Sequence, residues 1–250
     1  MGNLIRSELF KLRKDRSFWV LSWIILAYAL FVPIFQFFDN GPQYSTGIKI
    51  YLNALAGNNY ITKLVPCILA GFFISSEYSI GTMKSMASTG SSRERIYVAK
   101  FIAFTIGAVL LSLLYPVMNG VTASLLFGFG DIPQITEINF LVQTISLLIL
   151  YAAAFASIMA LFAFILTDSG KTIGLSFLFF LLFDSILQAL SARFSIFETV
   201  YDYSVFKLFM DISKVNLESG ELLKLILVPI LTCIGFGILG YLVFRRKEIK

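Results

Sequence analysis

The sequence predicts an all-α, polytopic membrane protein with six transmembrane helices and an N-terminal interfacial amphipathic helix. Of its 250 residues, 58% are hydrophobic and 14% are charged, whereas a soluble domain has about 25% charged residues. The uncharged runs reach the ~20 residues that an α-helix needs to cross the hydrocarbon core of a membrane. Because these runs are continuous rather than alternating, membrane β-strands are excluded. The composition also excludes a soluble enzyme, since so few charges cannot cover a solvated surface.

Residues 1–17 predict an amphipathic helix that lies at the membrane surface before the first span. Its apolar residues recur at helical spacing, and its basic residues lie on other faces. The apolar stripe consists of Leu4, Ile5, Leu9 and Leu12. The alternative is a basic segment that only orients the first span.

Six hydrophobic segments predict the membrane spans. They cover residues of about 18–38, 61–76, 98–127, 140–167, 172–192 and 224–244. The second span is short before Glu77 ends it, so we expect Lys63 to extend its ammonium group outward to the membrane surface. Pro116 lies inside the long third span and predicts a kink or break there. The 120–130 stretch is then expected to lie partly outside the hydrocarbon.

The distribution of basic residues predicts the orientation of the chain. Fourteen of the 20 Lys and Arg residues fall on one side of the membrane, and the other six are spread over longer loops on the opposite side. The segments with 14 basic residues are 1–16, 77–100, the turn at Lys171 and 245–250. Because Lys and Arg are enriched in cytoplasmic loops, we expect a multi-pass protein of the cell membrane with both termini in the cytoplasm. The net charge of +5 therefore reports topology, and no nucleic-acid partner is expected.

Three loops are long enough to contact partners. One is cytoplasmic, over 77–97, and two are extracytoplasmic, over 39–59 and 193–223. None is large enough to bury a core of its own, so residues 1–250 are expected to form a single transmembrane domain. The chain has no His, and Cys67 and Cys233 stand alone in apolar stretches. His-based catalysis, a His-ligated zinc site and a redox pair are therefore not expected.

The 77–97 loop carries the most informative pattern in the chain. The pattern consists of Glu77, Gly81, Thr82, Lys84, a small-residue turn with Gly90 and Ser91, then Ser92 and Arg93, and Lys100 where the third span begins. This series, E-x-x-x-G-T-x-K followed by S-R and K, resembles the loop between the first two core helices of ABC transporter permeases of the type-2 exporter family. Related permeases serve lantibiotic immunity, bacitracin resistance and the export of small peptides. The overall architecture of six spans with both termini inside is similar as well.

The resemblance implies that the chain is the membrane subunit of an ATP-driven exporter. In that family the loop forms a coupling helix that seats in a cleft of the ATPase subunit. The residues implied to couple the two subunits are Glu77, Gly81, Thr82, Lys84, Ser92, Arg93 and Lys100. The implied partners are two ABC ATPase subunits, which bind ATP and Mg, a second permease copy or paralogue in a dimer, and membrane lipid. No cofactor is expected in this chain itself.

Residues 168–172 end in Gly-Lys-Thr, as a phosphate-binding loop does. Such a loop requires a glycine five residues before Gly170, where Ile165 stands, and a strand in front of it. Both flanks are predicted spans, so we interpret the segment as a tight cytoplasmic turn. The chain is therefore not expected to bind ATP or to act as an enzyme by itself.

Asp184 and Gln188 lie one helical turn apart inside the fifth span. An ionisable residue in lipid is costly and is a candidate site, here a substrate path or a dimer interface. The alternative is a structural pairing with Asn119 or Gln143. The outer loop 193–223 has aromatic residues at three- and four-residue steps, which predicts one short helix at the outer leaflet. Its candidate substrate contacts are Phe197, Tyr201 and Phe206, and an aromatic belt without substrate contact is equally compatible with the pattern.

The alternative to an ABC permease is a non-ABC membrane protein, either a secondary transporter or a membrane anchor or sensor. A secondary transporter usually shows an inverted repeat and several ionisable residues at mid-membrane. In this sequence Asp184 is the single firm case. A neighbouring reading frame that encodes an ATPase would favour the ABC class.

We expect a cysteine introduced at Ser91 to react with a membrane-impermeant maleimide only from the cytoplasm, and one at Ser213 only from outside. We expect this difference because loops rich in Lys and Arg stay in the cytoplasm. Labelling of intact cells and of inverted vesicles measures the two accessibilities. Reaction of both positions from the same face would contradict the predicted topology.

Overall fold

A computed structural model describes residues 1–43, 45–88, 92–130, 137–214 and 217–247, so that Gly90 and Ser91 of the loop pattern lie outside the described residues. Within these ranges every regular element is a helix, which confirms the predicted all-α class. The helices are α1 Gly2–Lys14, α2 Arg16–Asn40, α3 Gly47–Ala70, α4 Ser76–Ser79, α5 Thr82–Ser88, α6 Arg93–Phe127, α7 Glu137–Leu166, α8 Ser169–Ser191, α9 Ser195–Asp202, α10 Val205–Met210 and α11 Ser219–Arg246. A π-helical turn at Gly71–Ser75 joins α3 to α4, and a 3₁₀ turn at Asp211–Ser213 follows α10.

Six helical segments are long and apolar enough to cross a membrane, as the sequence predicts. They are Arg16–Asn40, Gly47–Ser79, Arg93–Phe127, Ile138–Leu166, Ser169–Ser191 and Ser219–Arg246. The second begins well before residue 61, so most of the expected outer loop 39–59 is helical instead. Hydropathy misses this part of α3 because it contains polar residues such as Asn58. That side chain is buried inside the bundle, where polar groups can bond to neighbouring helices.

The third span continues through Pro116 as one helix, so the expected break is not found in α6. It ends at Phe127, where Gly128 has a φ of +75°. Because proline has no N–H, it cannot bond to the carbonyl of Ser112 four residues earlier. The side-chain amide of Asn58 donates to that carbonyl instead, at 3.0 Å. A polar residue of α3 therefore compensates for the proline of α6.

Short acidic side chains fix two of the helix starts. Asp15 Oδ1 accepts a hydrogen bond from the backbone N–H of Phe18 at 2.9 Å, which separates α1 from α2. Asp168 Oδ1 accepts from the backbone N–H of Lys171 at 2.8 Å. Both are N-cap bonds that satisfy otherwise unpaired donors of the first helical turn. The Gly-Lys-Thr segment is therefore the capped first turn of α8 rather than a separate turn. It follows the helix α7 and not the strand that a phosphate-binding loop requires.

The central helix of the bundle is α6. It packs along α2 and α3 and also contacts α1, α7 and α11. Gly107 allows α1 to approach closely, since a Cβ at that position would lie 3.0 Å from Cδ1 of Leu12. The buried residues of α1 are Leu12 and Glu8. The predicted amphipathic helix is therefore packed against the bundle.

The bundle has two ends with different elements. We call the end with α1, α4, α5 and the α7–α8 turn the basic end, and the end with α9 and α10 the opposite end. The single short helix expected in the 193–223 loop is two helices, because Ser204 caps a new helix after the chain leaves α9. The second of them, α10, buries most of its apolar side chains against the bundle.

Candidate functional site

Four charged side chains meet at the basic end, and we call them the ion square: Glu8, Lys11, Glu77 and Lys100. Lys100 Nζ lies 2.9 Å from Glu8 Oε2 and 2.5 Å from Glu77 Oε2. Lys11 Nζ lies 2.8 Å from Glu8 Oε1 and 3.2 Å from Glu77 Oε1. Each carboxylate therefore contacts both ammonium groups, and the charges cancel. The ion square joins α1, α4 and α6.

The members of the ion square differ in burial. The Lys100 side chain is 0% exposed and that of Lys11 is 38% exposed, while Glu8 is buried. Desolvation lowers the pKa of Lys11, but the hydrogen bonds and charges of Glu8 and Glu77 together outweigh it, so the pKa lies above its ordinary value. A buried charge is tolerated only when it is paired. Lys100 therefore depends on the two carboxylates that surround it.

Glu77 and Lys100 were expected among the residues that couple the chain to an ATPase. In the structure both side chains are engaged inside the permease, so Lys100 has no surface for direct contact with a partner. The sequence reasoning missed Glu8 as the residue that joins them. The signal was a carboxylate at four-residue spacing between Leu4 and Leu12, within the apolar stripe of α1. A carboxylate on a buried face requires a cation nearby.

A tight turn follows Glu77 and separates α4 from α5. Gly81 has a φ of +80°, a conformation that favours glycine, and it allows the chain to change direction. The hydroxyl of Thr82 donates to the carbonyl oxygen of Glu77 at 3.2 Å. This bond closes the turn.

Residues 80–84, which we call the α4–α5 corner, have one buried side and one exposed side. Met83 is buried and anchors the corner in the core. Ile80 is 73% exposed. Lys84 is exposed as well. The corner therefore presents an apolar residue and an ammonium group from a fixed backbone.

Ser92 and Arg93 begin α6 and do not project freely. Ser92 Oγ accepts a hydrogen bond of 3.4 Å from a backbone N–H of the first turn and caps the helix. Arg93 Nη1 donates to the carbonyl oxygens of Arg245 and Lys247 at 2.9 and 2.6 Å. Part of the guanidinium is thus bound to the end of α11.

A second ion pair lies inside the membrane-spanning bundle. Lys63 Nζ of α3 lies 2.8 Å from Asp184 Oδ2 of α8. The expectation that Lys63 extends outward to the membrane surface is wrong, because its side chain is buried. The partner of Asp184 is this lysine rather than Asn119 or Gln143. Pairing the two charges removes most of the cost of placing either one in hydrocarbon.

Aromatic rings enclose the ammonium group of Lys63. Its Nζ lies 4.9 Å from the ring centroid of Phe206 and 5.6 Å from that of Phe155. Such contacts attract a cation through the electron-rich ring face. Because Phe206 belongs to α10, a helix of the opposite end closes over the ion pair.

The structure brings together part of the predicted substrate path. Asp184 and Phe206 both contact Lys63. Burial and then the negative charge of Asp184 raise the pKa of Tyr201 above its ordinary value. Gln188 and Phe197 are exposed on the surface of the chain.

An apolar groove of about 420 Å³ runs along α8 beside Asp184. Its lining consists of apolar side chains between Phe162 and Leu166 of α7 and between Leu175 and Ile186 of α8. The rings of Phe179 and Phe183 stack with centroids 4.7 Å apart, and Phe183 lies 5.3 Å from Phe206. Aromatic rings thus connect this groove to the enclosure around Lys63.

Removing the buried lysine of the ion square should destabilise the fold more than removing the exposed one. Lys100→Met leaves two carboxylates with one cation, and breaking a buried ion pair costs about 3–5 kcal/mol. Lys11→Met is the matched control and should cost about 1 kcal/mol or less, because its ammonium is partly solvated. Thermal unfolding in detergent and hydrogen exchange of the α1 amides measure both effects. Equal losses would contradict the order of burial.

Neutralising both members of the Lys63–Asp184 pair should be better tolerated than neutralising one. Lys63→Met or Asp184→Asn leaves one unpaired charge or polar group in a poorly solvated site, at an expected cost of about 3–5 kcal/mol for the charge. The double variant removes both charges and should recover most of that loss. Melting temperatures of the three variants in one detergent provide the test. Single variants as stable as the double variant would show that the pair is not coupled.

A sequence profile of the family described as ABC-2 family transporter protein matches residues 4–185. This range runs from α1 into α8 and contains the ion square, the α4–α5 corner and the Lys63–Asp184 pair. No curated protein matches the sequence. Because the profile covers most of the chain, the chain belongs to the ABC-2 transporter family, as a membrane permease component of an ABC transporter.

Proposed function

We propose that this chain is the transmembrane subunit of an ATP-driven exporter that moves peptides or other amphipathic compounds out of the cell or the membrane. Family membership supports a transport subunit that is not itself catalytic. In the proposed complex two ABC ATPase subunits bind ATP and Mg and dock on the 77–97 loop. The observation that carries this proposal is the α4–α5 corner, which follows directly on the ion square.

The α4–α5 corner has the features expected of a docking surface. Ile80 is exposed at a turn whose backbone is fixed by Gly81 and Thr82. An apolar side chain of this size gains free energy when a partner removes it from water. Lys84 adds an exposed ammonium that can pair with an acidic group on the partner. In the proposed topology the basic end faces the cytoplasm, where ATP is available.

The ion square supplies a stiff connection from the corner to the membrane helices. Glu77 lies one helical turn before Gly81, and its carboxylate contacts Lys100 of α6 and Lys11 of α1. A displacement of the corner would therefore move α1 and α6 together with α4. Because α6 packs along α2 and α3, the movement would reach the centre of the bundle.

The groove along α8 supports an amphipathic substrate. Its lining is apolar, which suits a hydrophobic face. The ring of Phe183 connects it to Phe206, which contacts the Lys63–Asp184 pair and its charged groups. A compound with an apolar face and a polar group would match both features. We propose Asp184 and Phe206 as the first residues of the substrate path, with Tyr201 nearby. Export of antimicrobial peptides is the use suggested by the resemblance of the 77–97 loop.

The proposed assembly contains a second permease, either a copy of this chain or a paralogue. Large apolar side chains are exposed along α2 and α8, among them Trp23, Ile24, Leu182 and Ile186. In a membrane such surfaces meet lipid or another membrane helix. We propose that one of these faces packs against the second permease and that lipid of the cell membrane covers the rest.

Substitution of Ile80 tests the docking of the ATPase. Burial of a side chain of this kind is worth about 1.5–3 kcal/mol, so Ile80→Ser should weaken binding of the ATPase about 10- to 100-fold. The measurement uses the permease in lipid nanodiscs and an ABC ATPase subunit that co-purifies with the parent chain. Lys84→Glu should also weaken binding, through repulsion of an acidic partner group.

The matched control is Ile138→Ser. The exposed fraction of Ile138 is 75%, close to the 73% of Ile80. Ile138 lies at the start of α7, near the opposite end. This variant should bind the ATPase as the parent chain does. Equal affinity for the Ile80 and Ile138 variants, or crosslinks from the corner that never reach the ATPase, would refute the assignment.

A further inference from the structure

Lys247, the residue after α11, makes contacts with three other elements of the basic end. Its Nζ donates to the carbonyl oxygens of Phe164 and Ile165 at 2.8 and 2.6 Å. The same ammonium lies 5.3 Å from the ring centroid of Tyr78 in α4. Its own carbonyl oxygen accepts from Arg93 at the start of α6. We call these five residues the Lys247 clasp.

The carbonyl oxygens in the clasp are ones that a helix leaves unpaired. Phe164 and Ile165 belong to the last turn of α7, whose carbonyls have no partner within the helix. The chain leaves α7 at Thr167, which has a φ of +56°. A cation at a helix C-terminus is favoured by the partial negative charge there. Lys247 therefore bonds to α7 as a capping group from another helix.

The clasp acts on the same short helix as the ion square. Glu77 and Tyr78 are consecutive residues of α4. The Glu77 carboxylate contacts Lys11 and Lys100, and the Tyr78 ring contacts the Lys247 ammonium. The ion square connects α4 to α1 and α6. The clasp connects α4 to the ends of α7 and α11, which also pack along each other.

We infer that Lys247 is a positioning residue that holds α4 against the ends of α7 and α11, so that a displacement of the α4–α5 corner moves those two helices as well. The part of this inference that concerns transport rests on the proposed function. Without the clasp, a force on the corner would reach α1 and α6 through the ion square. It would reach α7 only through the preceding π-helical turn, where Ser75 Oγ donates to the carbonyl oxygen of Ala163 at 3.2 Å, and it would lose its direct route to α11.

The first measurement concerns position alone. Spin labels at Ile80 and Leu242, in a chain with Cys67→Ala and Cys233→Ala, report the distance between the corner and α11 in lipid nanodiscs. Lys247→Met should broaden the distance distribution about twofold, because α4 loses its contact with α11 and opens locally. Lys247→Arg should keep the parent distribution, since a guanidinium also donates to carbonyls and stacks on rings.

The matched control is Arg246→Met, because Arg246 is exposed and lies one residue away. It removes the same charge from the same segment and should leave the distribution unchanged. A distribution for Lys247→Met that equals that of the parent chain would overturn the inference. Equal broadening in the Arg246 variant would also overturn it, since the effect would then come from charge rather than from the clasp.

The second measurement follows movement in the complex. Labels at Phe38 of α2 and Leu223 of α11 are compared with the ATPase bound, before and after trapping with ATP and vanadate. The distance should shift in the parent chain and in Lys247→Arg, and the shift should be lost in Lys247→Met. A shift that persists in Lys247→Met would overturn the inference. No shift in the parent complex would refute the proposed function instead, and the first measurement would still decide whether the clasp positions α4.

Discussion

The architecture of the basic end depends on the neutralisation of Lys100. This lysine is fully buried on the central helix α6. Burying its ammonium group there without a partner would cost about 3–5 kcal/mol. Two carboxylates from different elements neutralise it, Glu8 of α1 and Glu77 of α4. If α4 left, Lys11 and Lys100 would share one carboxylate, and if α1 left, Lys100 would keep only one of its two partners. The same requirement therefore places α1 against the bundle and fixes the start of the α4–α5 corner.

Compensation between helices recurs deeper in the bundle. Pro116 leaves the carbonyl of Ser112 without its helical donor, and the amide of Asn58 supplies one. Lys63 and Asp184 neutralise each other across α3 and α8. In each case a residue that would be unfavourable in an isolated helix is made acceptable by a residue on another. Such pairs specify which helices are neighbours, because lipid does not distinguish one apolar helix face from another.

Much of the fold followed from the sequence, and much of the candidate site did not. Hydropathy predicted six spans, because each span is a long local run of apolar residues. It misplaced the start of α3 and the direction of Lys63, since both depend on partners that are distant in sequence. The loop pattern predicted a coupling role for Glu77, Thr82 and Lys100, yet it did not show that the side chains of Glu77 and Lys100 contact each other. The pattern of neighbouring residues predicts the secondary structure of a segment. Ion pairs between helices depend instead on how the helices pack.

One continuous helical path connects the two charged sites. Glu77 and Lys63 lie 14 residues apart on the second span, a separation of about 21 Å along a helix. Between them the π-helical turn at Gly71–Ser75 passes so close to α8 that a Cβ at Gly71 would lie 2.5 Å from Cγ1 of Ile173. A movement of Glu77 along this helix would therefore act on α8 twice, at the turn and again through Lys63 and Asp184. In the proposed exporter, α3 would then transmit the displacement of the α4–α5 corner to the groove along α8. Because separating the buried charge of Lys63 from Asp184 is costly, α3 and α8 would stay in contact during this movement.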